Sequence, residues 1–149
     1  MKKEPIGKYV AAIYRNMQSI INFKLADIDI KSGQQDFLFA ISKNEGISQK
    51  ELSTTLYVGK STTAKAVKNL INSGYITREQ DMADKRYNRL YLTEKGKAIA
   101  PRMSATFSEI MNIFARGLSD DEFEQTLILL KKILRSFSDE KRKITSDLD

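Results

Sequence analysis

The apolar positions of this chain fall into helical stripes, interrupted once by a stretch that alternates. From 6 to about 28, Ile6, Tyr9, Val10, Ile13, Tyr14, Met17, Ile20 and Ile21 recur every three or four residues, which predicts an amphipathic helix begun at Pro5. At 1.5 Å per residue it spans roughly 30 Å, long for so small a chain. Ser32-Gly33-Gln34-Gln35 reads as a capping box opening a second helix with Phe37, Leu38 and Ile41 on its inner face. Asn44-Glu45-Gly46 closes that helix, with Gly46 as a left-handed C-cap. Ser48-Gln49-Lys50-Glu51 is another capping box, opening a short helix to about Leu56 with Leu52 and Leu56 inward. Tyr57-Val58-Gly59 makes a turn into a helix over 60–73, closed by Gly74. Its inward set is Ala64, Val67, Leu70 and Ile71; its outward set is Ser61, Thr62, Thr63, Lys65, Lys68 and Asn69.

The pattern then changes period. Residues 75–79 have strand propensity, 80–88 form a polar tip, and Leu90 and Leu92 alternate to one face of 89–93. Two strands joined by about nine to ten polar residues make a hairpin with a projecting tip. Thr93 can cap the next helix, 94 to about 117, in which Pro101 should introduce a kink. That helix carries Ile99, Met103, Phe107, Ile110, Met111 and Phe114. Ser119-Asp120-Asp121-Glu122 opens a last helix to about Phe137, with a stripe of Phe123, Leu127, Leu130, Ile133, Leu134 and Phe137. Ile128 and Leu129 lie off that stripe, so the helix is apolar over more than one face and calls for a partner. The charge-rich tail from Ser138 is expected to fray. The fold class that follows is mainly α with a small β-hairpin: a helix-turn-helix and hairpin lobe over 32–93, with N- and C-terminal dimerisation helices over 5–28 and 94–138, in a single chain of 149 residues.

Composition narrows the chemistry. Apolar residues make up 41% and charged residues 30%, as in folded soluble domains rather than disordered ones. There is no cysteine and no histidine. Disulfides, thiol nucleophiles and cysteine metal sites are thereby excluded, and the commonest general base and metal ligand is missing. Without a convergent carboxylate pair or a glycine-rich phosphate loop, no enzyme, metal site or cofactor is expected. No apolar run approaches the roughly 18–20 residues of a membrane span, so no membrane partner is expected and the cytoplasm is the default compartment.

The net charge of +6 permits a polyanion partner without establishing one. Its placement is more telling. From 58 to 76 there is no acidic residue. Lys60, Ser61, Thr62, Thr63, Lys65, Lys68 and Asn69 offer hydroxyls short enough for a groove and lysines where phosphates would lie. The hairpin adds Arg78, Lys85, Arg86 and Arg89. A tip arginine has the length and shape for the minor groove, and Asp84, two residues before Arg86, is placed to brace it or the tip backbone. The plainer readings are a solvated loop, an ordinary turn aspartate, and two helices that merely complete a core.

Gly74-Tyr75-Ile76-Thr77-Arg78, then Asp84-Lys85-Arg86, then Leu90-Tyr91-Leu92-Thr93-Glu94-Lys95-Gly96 resembles the wing signature of MarR-type transcription regulators, and the helix order matches along nearly the whole chain. The resemblance implies a homodimeric winged-helix repressor with its recognition helix in the major groove. It implies that Arg86 is the minor-groove residue, Asp84 its brace, and the 61–68 face the base-reading surface. Gly59 departs from the family, which often has a serine-type cap there. The expected partners are double-stranded DNA and a second copy of the chain; the resemblance leaves open either a small aromatic or anionic effector, with Tyr9, Ile13, Met17 and Phe37 as its candidate pocket, or no effector at all. Core packing is the plainer role for those four. The alternative function is a winged-helix protein-interaction module without specific DNA readout.

Overall fold

The computed structural model describes residues 3–146. Its elements run α1 (Ile6–Lys24), α2 (Gln35–Lys43), α3 (Gln49–Thr55), α4 (Lys60–Asn72), β1 (Ile76–Gln80), β2 (Asn88–Leu92), α5 (Glu94–Arg116) and α6 (Asp120–Ser146). This is the expected fold class, six helices and one antiparallel hairpin. The chain divides into two compact units, one ending at Ser108 and the other starting at Glu109, so the division falls inside α5. Among the described residues no helix is long and apolar enough to cross a membrane.

The core of the first unit takes one buried layer from each of its elements: Ile21 and Leu25, then Phe37, Leu38 and Ile41, then Leu52, Val67 and Leu70, then Ile76, Leu90 and Met103. Each such side chain stabilises the fold by about 1.5–3 kcal/mol relative to exposure. The end of α1 therefore belongs to this core.

Several boundaries differ from the sequence reading. Helix α1 stops at Lys24, not near residue 28, because Leu25 leaves helical geometry at φ −110° and turns into the core. Arg102 of α5 fastens this end: Nη2 donates to the Lys24 carbonyl at 3.0 Å, and Nη1 and Nη2 bind Asp27 at 2.6 and 2.8 Å. The capping box at Ser32 does not form. Gly33 is left-handed at φ +88°, α2 starts later at Gln35, and Gln34 has no side-chain cap. The Ser32 hydroxyl instead accepts from Asn22 Nδ2 at 3.2 Å, and Gln35 Nε2 donates to Asn22 Oδ1 at 2.9 Å. Helix α2 ends in Asn44 as C-cap, and left-handed Gly46 lies beyond it.

The Ser48 capping box forms in full: the Glu51 N–H donates to Ser48 Oγ at 3.0 Å, and the Ser48 N–H donates to Glu51 Oε2 at 3.2 Å. The Ser119 box does likewise, with the Glu122 N–H on Ser119 Oγ and the Ser119 N–H on Glu122 Oε1. Helix α5 runs through Pro101 without ending. Helix α6 continues nine residues past the expected stop at 137, to Ser146. Nothing from 138 to 146 breaks a helix, and Arg142 pairs with Asp139 one turn back at 3.7 Å. In the second unit α6 buries none of its described residues. Leu127, Ile128, Leu129, Leu130, Ile133 and Leu134 are exposed, and Phe137 is 72% exposed.

Candidate nucleic-acid interface

Helices α3 and α4 form the helix-turn-helix. The capping box fixes the start of α3 against β2, and the turn at its end places Gly59 as an extended N-cap for α4 with no side-chain hydrogen bond. On α4, Lys60, Ser61, Thr62, Lys65 and Lys68 are exposed and Asn69 is half-buried. Thr63 is not part of that face: it is 0% exposed. Its hydroxyl donates to the Gly59 carbonyl at 3.1 Å and accepts from Ser53 Oγ at 2.8 Å. The buried set is Thr63, Ala66, Val67 and Leu70, while Ala64 and Ile71 are only half-buried. The helix is turned slightly from the expected register because a hydroxyl with two internal partners can be buried without penalty.

The wing is β1 and β2, paired from Ile76↔Leu92 to Gln80↔Asn88, with a seven-residue tip over 81–87 rather than nine to ten. Asp81 builds the tip. Its Oδ1 accepts from the N–H groups of Ala83 and Asp84, and its Oδ2 takes Arg89 Nε at 2.5 Å. Arg89 Nη1 also donates to the Gly46 carbonyl at 2.8 Å. Arg89, expected to contact DNA, is therefore a fastener between the wing and the α2–α3 turn. The neighbouring guanidinium holds the Asp81 carboxyl below the usual carboxylate range.

Arg86 and Asp84 sit together at the outer end. Arg86 Nε donates to Asp84 Oδ1 at 2.9 Å, Nη2 to Oδ2 at 2.7 Å, and the Arg86 backbone N–H to Oδ1 at 3.1 Å. This hydrogen bonding lowers the Asp84 pKa. The Arg86 side chain is nonetheless 84% exposed, so the pair orients the guanidinium without hiding it. Arg78 and Lys85 are exposed on the same hairpin. Among the described residues Lys60, Lys65, Lys68 and Lys85 form no ion pair, which leaves the face with uncompensated positive charge.

Two features were missed from the sequence. A third, one-bridge strand joins the wing: the Leu90 N–H donates to the Ile47 carbonyl at 2.9 Å, and the Gly46 N–H to the Leu90 carbonyl at 2.8 Å. Its only sequence signal is a single apolar residue, Ile47, before the capping box. Lys50 was the other omission. With Lys60 and Arg86 it lines a concavity between α3, the start of α4 and the wing, together with Ser48, Gln49 and Tyr87.

The base of the wing is tied to the end of α4. Gly74 is left-handed at φ +80°, and the Gly74 and Tyr75 N–H groups donate to the carbonyls of Ile71 and Leu70. The start of α5 grips this turn. The Thr93 N–H donates to the Tyr75 carbonyl at 3.0 Å, Thr93 Oγ1 to the Gly74 carbonyl at 2.5 Å, and Lys95 Nζ to the Ser73 carbonyl at 2.7 Å. Lys95 Nζ also lies 4.3 Å from the Tyr75 ring centroid. Gly96 permits this closeness: a Cβ there would overlap the Tyr75 carbonyl and sit 3.2 Å from Leu92 Cδ2.

The four candidate effector residues are not alike. Phe37 is core, 3% exposed. Met17 is half-buried, while Tyr9 and Ile13 are exposed on α1, with the Tyr9 hydroxyl donating to Glu4 Oε2 at 3.0 Å.

Residues 28–86 match the sequence model of the MarR family. An uncharacterized HTH-type transcriptional regulator of Bacillus subtilis (strain 168), YybA, is 30% identical over 131 residues, covering 88% of this chain and 87% of the relative. The crystal structure of a MarR transcriptional regulator from Methanosarcina mazei Go1 superposes with a TM-score of 0.74 at 35% identity, covering 92% of this chain and 99% of that one. A Listeria monocytogenes protein solved with a 26mer DNA superposes with a TM-score of 0.81 at 27% identity, over 93% and 92% of the two chains.

Proposed function

The chain belongs to the MarR family of transcription regulators, and from that premise we propose that it binds double-stranded DNA as a homodimer and represses transcription by occluding a promoter. One observation carries the DNA reading: the exposed face of Lys60, Ser61, Thr62, Lys65 and Lys68 is free of acid and lies in the same unit as a wing whose Arg86 is oriented by Asp84. That is the residue set for a major-groove helix and a minor-groove wing. The Listeria protein solved with DNA supports it by similarity.

The exposed apolar side chains of α6, together with those of α1 at Ile6, Val10 and Tyr14, suit burial against a second copy. A two-fold pair of heads would read a pseudo-palindrome with half-sites about 34–36 Å apart. The lobe over 32–93 is the reader in this scheme, and 5–28 with 94–138 supplies the dimer helices. A small aromatic or anionic effector would release the operator only by binding one head spacing better than the other. The α1 surface at Tyr9, Ile13 and Met17 remains its candidate site, without Phe37.

The test is selection of bound DNA from a random pool at two salt concentrations, followed by binding of Arg86→Ala and Lys65→Ala. The expected result is a two-fold symmetric site, bound less tightly as salt rises, with both variants weakened and each log–log salt slope shallower by about one. Sequence-independent recovery would sink the repressor reading. Binding indifferent to both substitutions would favour the protein-interaction module.

A further inference from the structure

Helices α3 and α4 end in the same hydrogen-bonded turn, and the two turns differ at one residue. After α4, the Gly74 N–H donates to the Ile71 carbonyl at 2.9 Å and the Tyr75 N–H to the Leu70 carbonyl at 3.0 Å, with Gly74 at φ +80°. After α3, the Tyr57 N–H donates to the Thr54 carbonyl at 3.3 Å and the Val58 N–H to the Ser53 carbonyl at 3.0 Å, with Tyr57 at φ +54°. Both are Schellman turns, whose left-handed position suits glycine because a Cβ crowds the neighbouring carbonyl. Among the described residues Tyr57 is the one non-glycine with positive φ.

The turn's two hydrogen bonds hold Tyr57 in this conformation, but among the described residues its side chain makes no hydrogen bond or ring contact that would offset the strain. Tyr57 is 70% exposed, so its ring adds little to the core. It lies three residues before Lys60, on the turn that leads into the cationic face of α4. Strain that persists at an exposed aromatic points to a contact outside the fold. Tyrosine offers a flat apolar ring, few rotatable bonds and a hydroxyl donor, a set suited to a sugar-phosphate edge.

We propose that Tyr57 contacts the DNA backbone, its hydroxyl donating to a phosphate oxygen beside the one met by Lys60 and thereby setting how α4 enters the groove. The assignment rests on the DNA-binding reading above. Because tyrosine is neutral, it contributes affinity without counterion release, unlike the lysines around it.

The experiment uses the full chain, the duplex recovered by selection, binding isotherms at several salt concentrations, and thermal melts. Tyr57→Gly should melt at or above the wild-type temperature, since glycine relieves the strain, yet bind about tenfold more weakly, the scale of one hydrogen bond to a charged group. Tyr57→Phe should lose most of that affinity. Both should keep the wild-type salt slope, whereas Lys65→Ala lowers it by about one. Wild-type affinity in Tyr57→Gly overturns the assignment, as does a clear fall in its melting temperature, which would make the ring a structural group. Wild-type affinity in Tyr57→Phe overturns the role of the hydroxyl. A wild-type chain that binds no duplex defeats the DNA reading itself, a separate result.

Discussion

Gly96→Ala adds a single methyl group at the junction of α4, the wing and α5. The new Cβ would overlap the Tyr75 carbonyl oxygen, a backbone atom that cannot rotate away, and would press on Leu92 Cδ2 at 3.2 Å. Helix α5 must therefore move off the α4–β1 turn. Overpacking of this kind costs about 1–3 kcal/mol. The movement also strains the Thr93 bonds to Tyr75 and Gly74, and losing one or two of them adds about 1 kcal/mol each. The expected total is about 2–5 kcal/mol, a large share of the 5–15 kcal/mol typical of a folded domain. At about 2–4 °C per kcal/mol for a chain of this size, the melting temperature should fall by roughly 10 °C. Urea unfolding followed by circular dichroism, at one fixed protein concentration, should show a lower midpoint with an unchanged slope. A loss below about 1 kcal/mol would mean that the junction is slack, and the claim that α5 holds the wing to α4 would fall.

Thr63→Val should destabilise the protein by about 1–3 kcal/mol, because the Ser53 hydroxyl and Gly59 carbonyl lose a buried partner. Its operator affinity below the melting transition should match wild type; weaker binding without a lower melting temperature would return Thr63 to the DNA face. Acid should loosen the first unit. Asp27, Asp81 and Asp84 are each held below the ordinary 3.8 by hydrogen bonds from Arg102, Arg89 and Arg86. A depressed carboxyl pKa means that the unfolded chain takes up the proton first. Their contribution is thus complete above about pH 4 and lost as pH falls through the folded values. Melting temperature should be flat from neutral pH to about 5 and drop below 4, and Asp81→Asn should shrink that drop. Asp36, pushed up by burial, works in the opposite sense, and Asp36→Asn should steepen it.

Helical spacing was enough to place all six helices, and the switch to alternation was enough to place the hairpin, since both signals are local. The losses came where a distant residue decides. Nothing near residue 24 announces that Arg102 will cap α1, because the partner lies 78 residues away. Arg89 looked like a wing cation because its acceptor, the Gly46 carbonyl, is 43 residues upstream. Thr63 sits at helical spacing with Val67 and Leu70, but a hydroxyl reads as outward until Ser53 is seen across from it. The Ser32 box failed through the backbone of Gly33, which sequence pattern does not encode. Helix α6 was cut short because loss of an apolar face was read as loss of helix, although charged residues there are good helix formers.

The hydrogen bonds from Arg102 to the end of α1 also bear on synthesis. The wing and α4 close over 19 residues, from Thr93 to Gly74, a short loop that costs little entropy. The end of α1 waits for a partner 75 to 78 residues further on. In synthesis from the N-terminus, Arg102 is made after Thr93 and the whole of the wing. The DNA-reading half can thus settle while the apolar face of α1 still hangs on an unfastened helix.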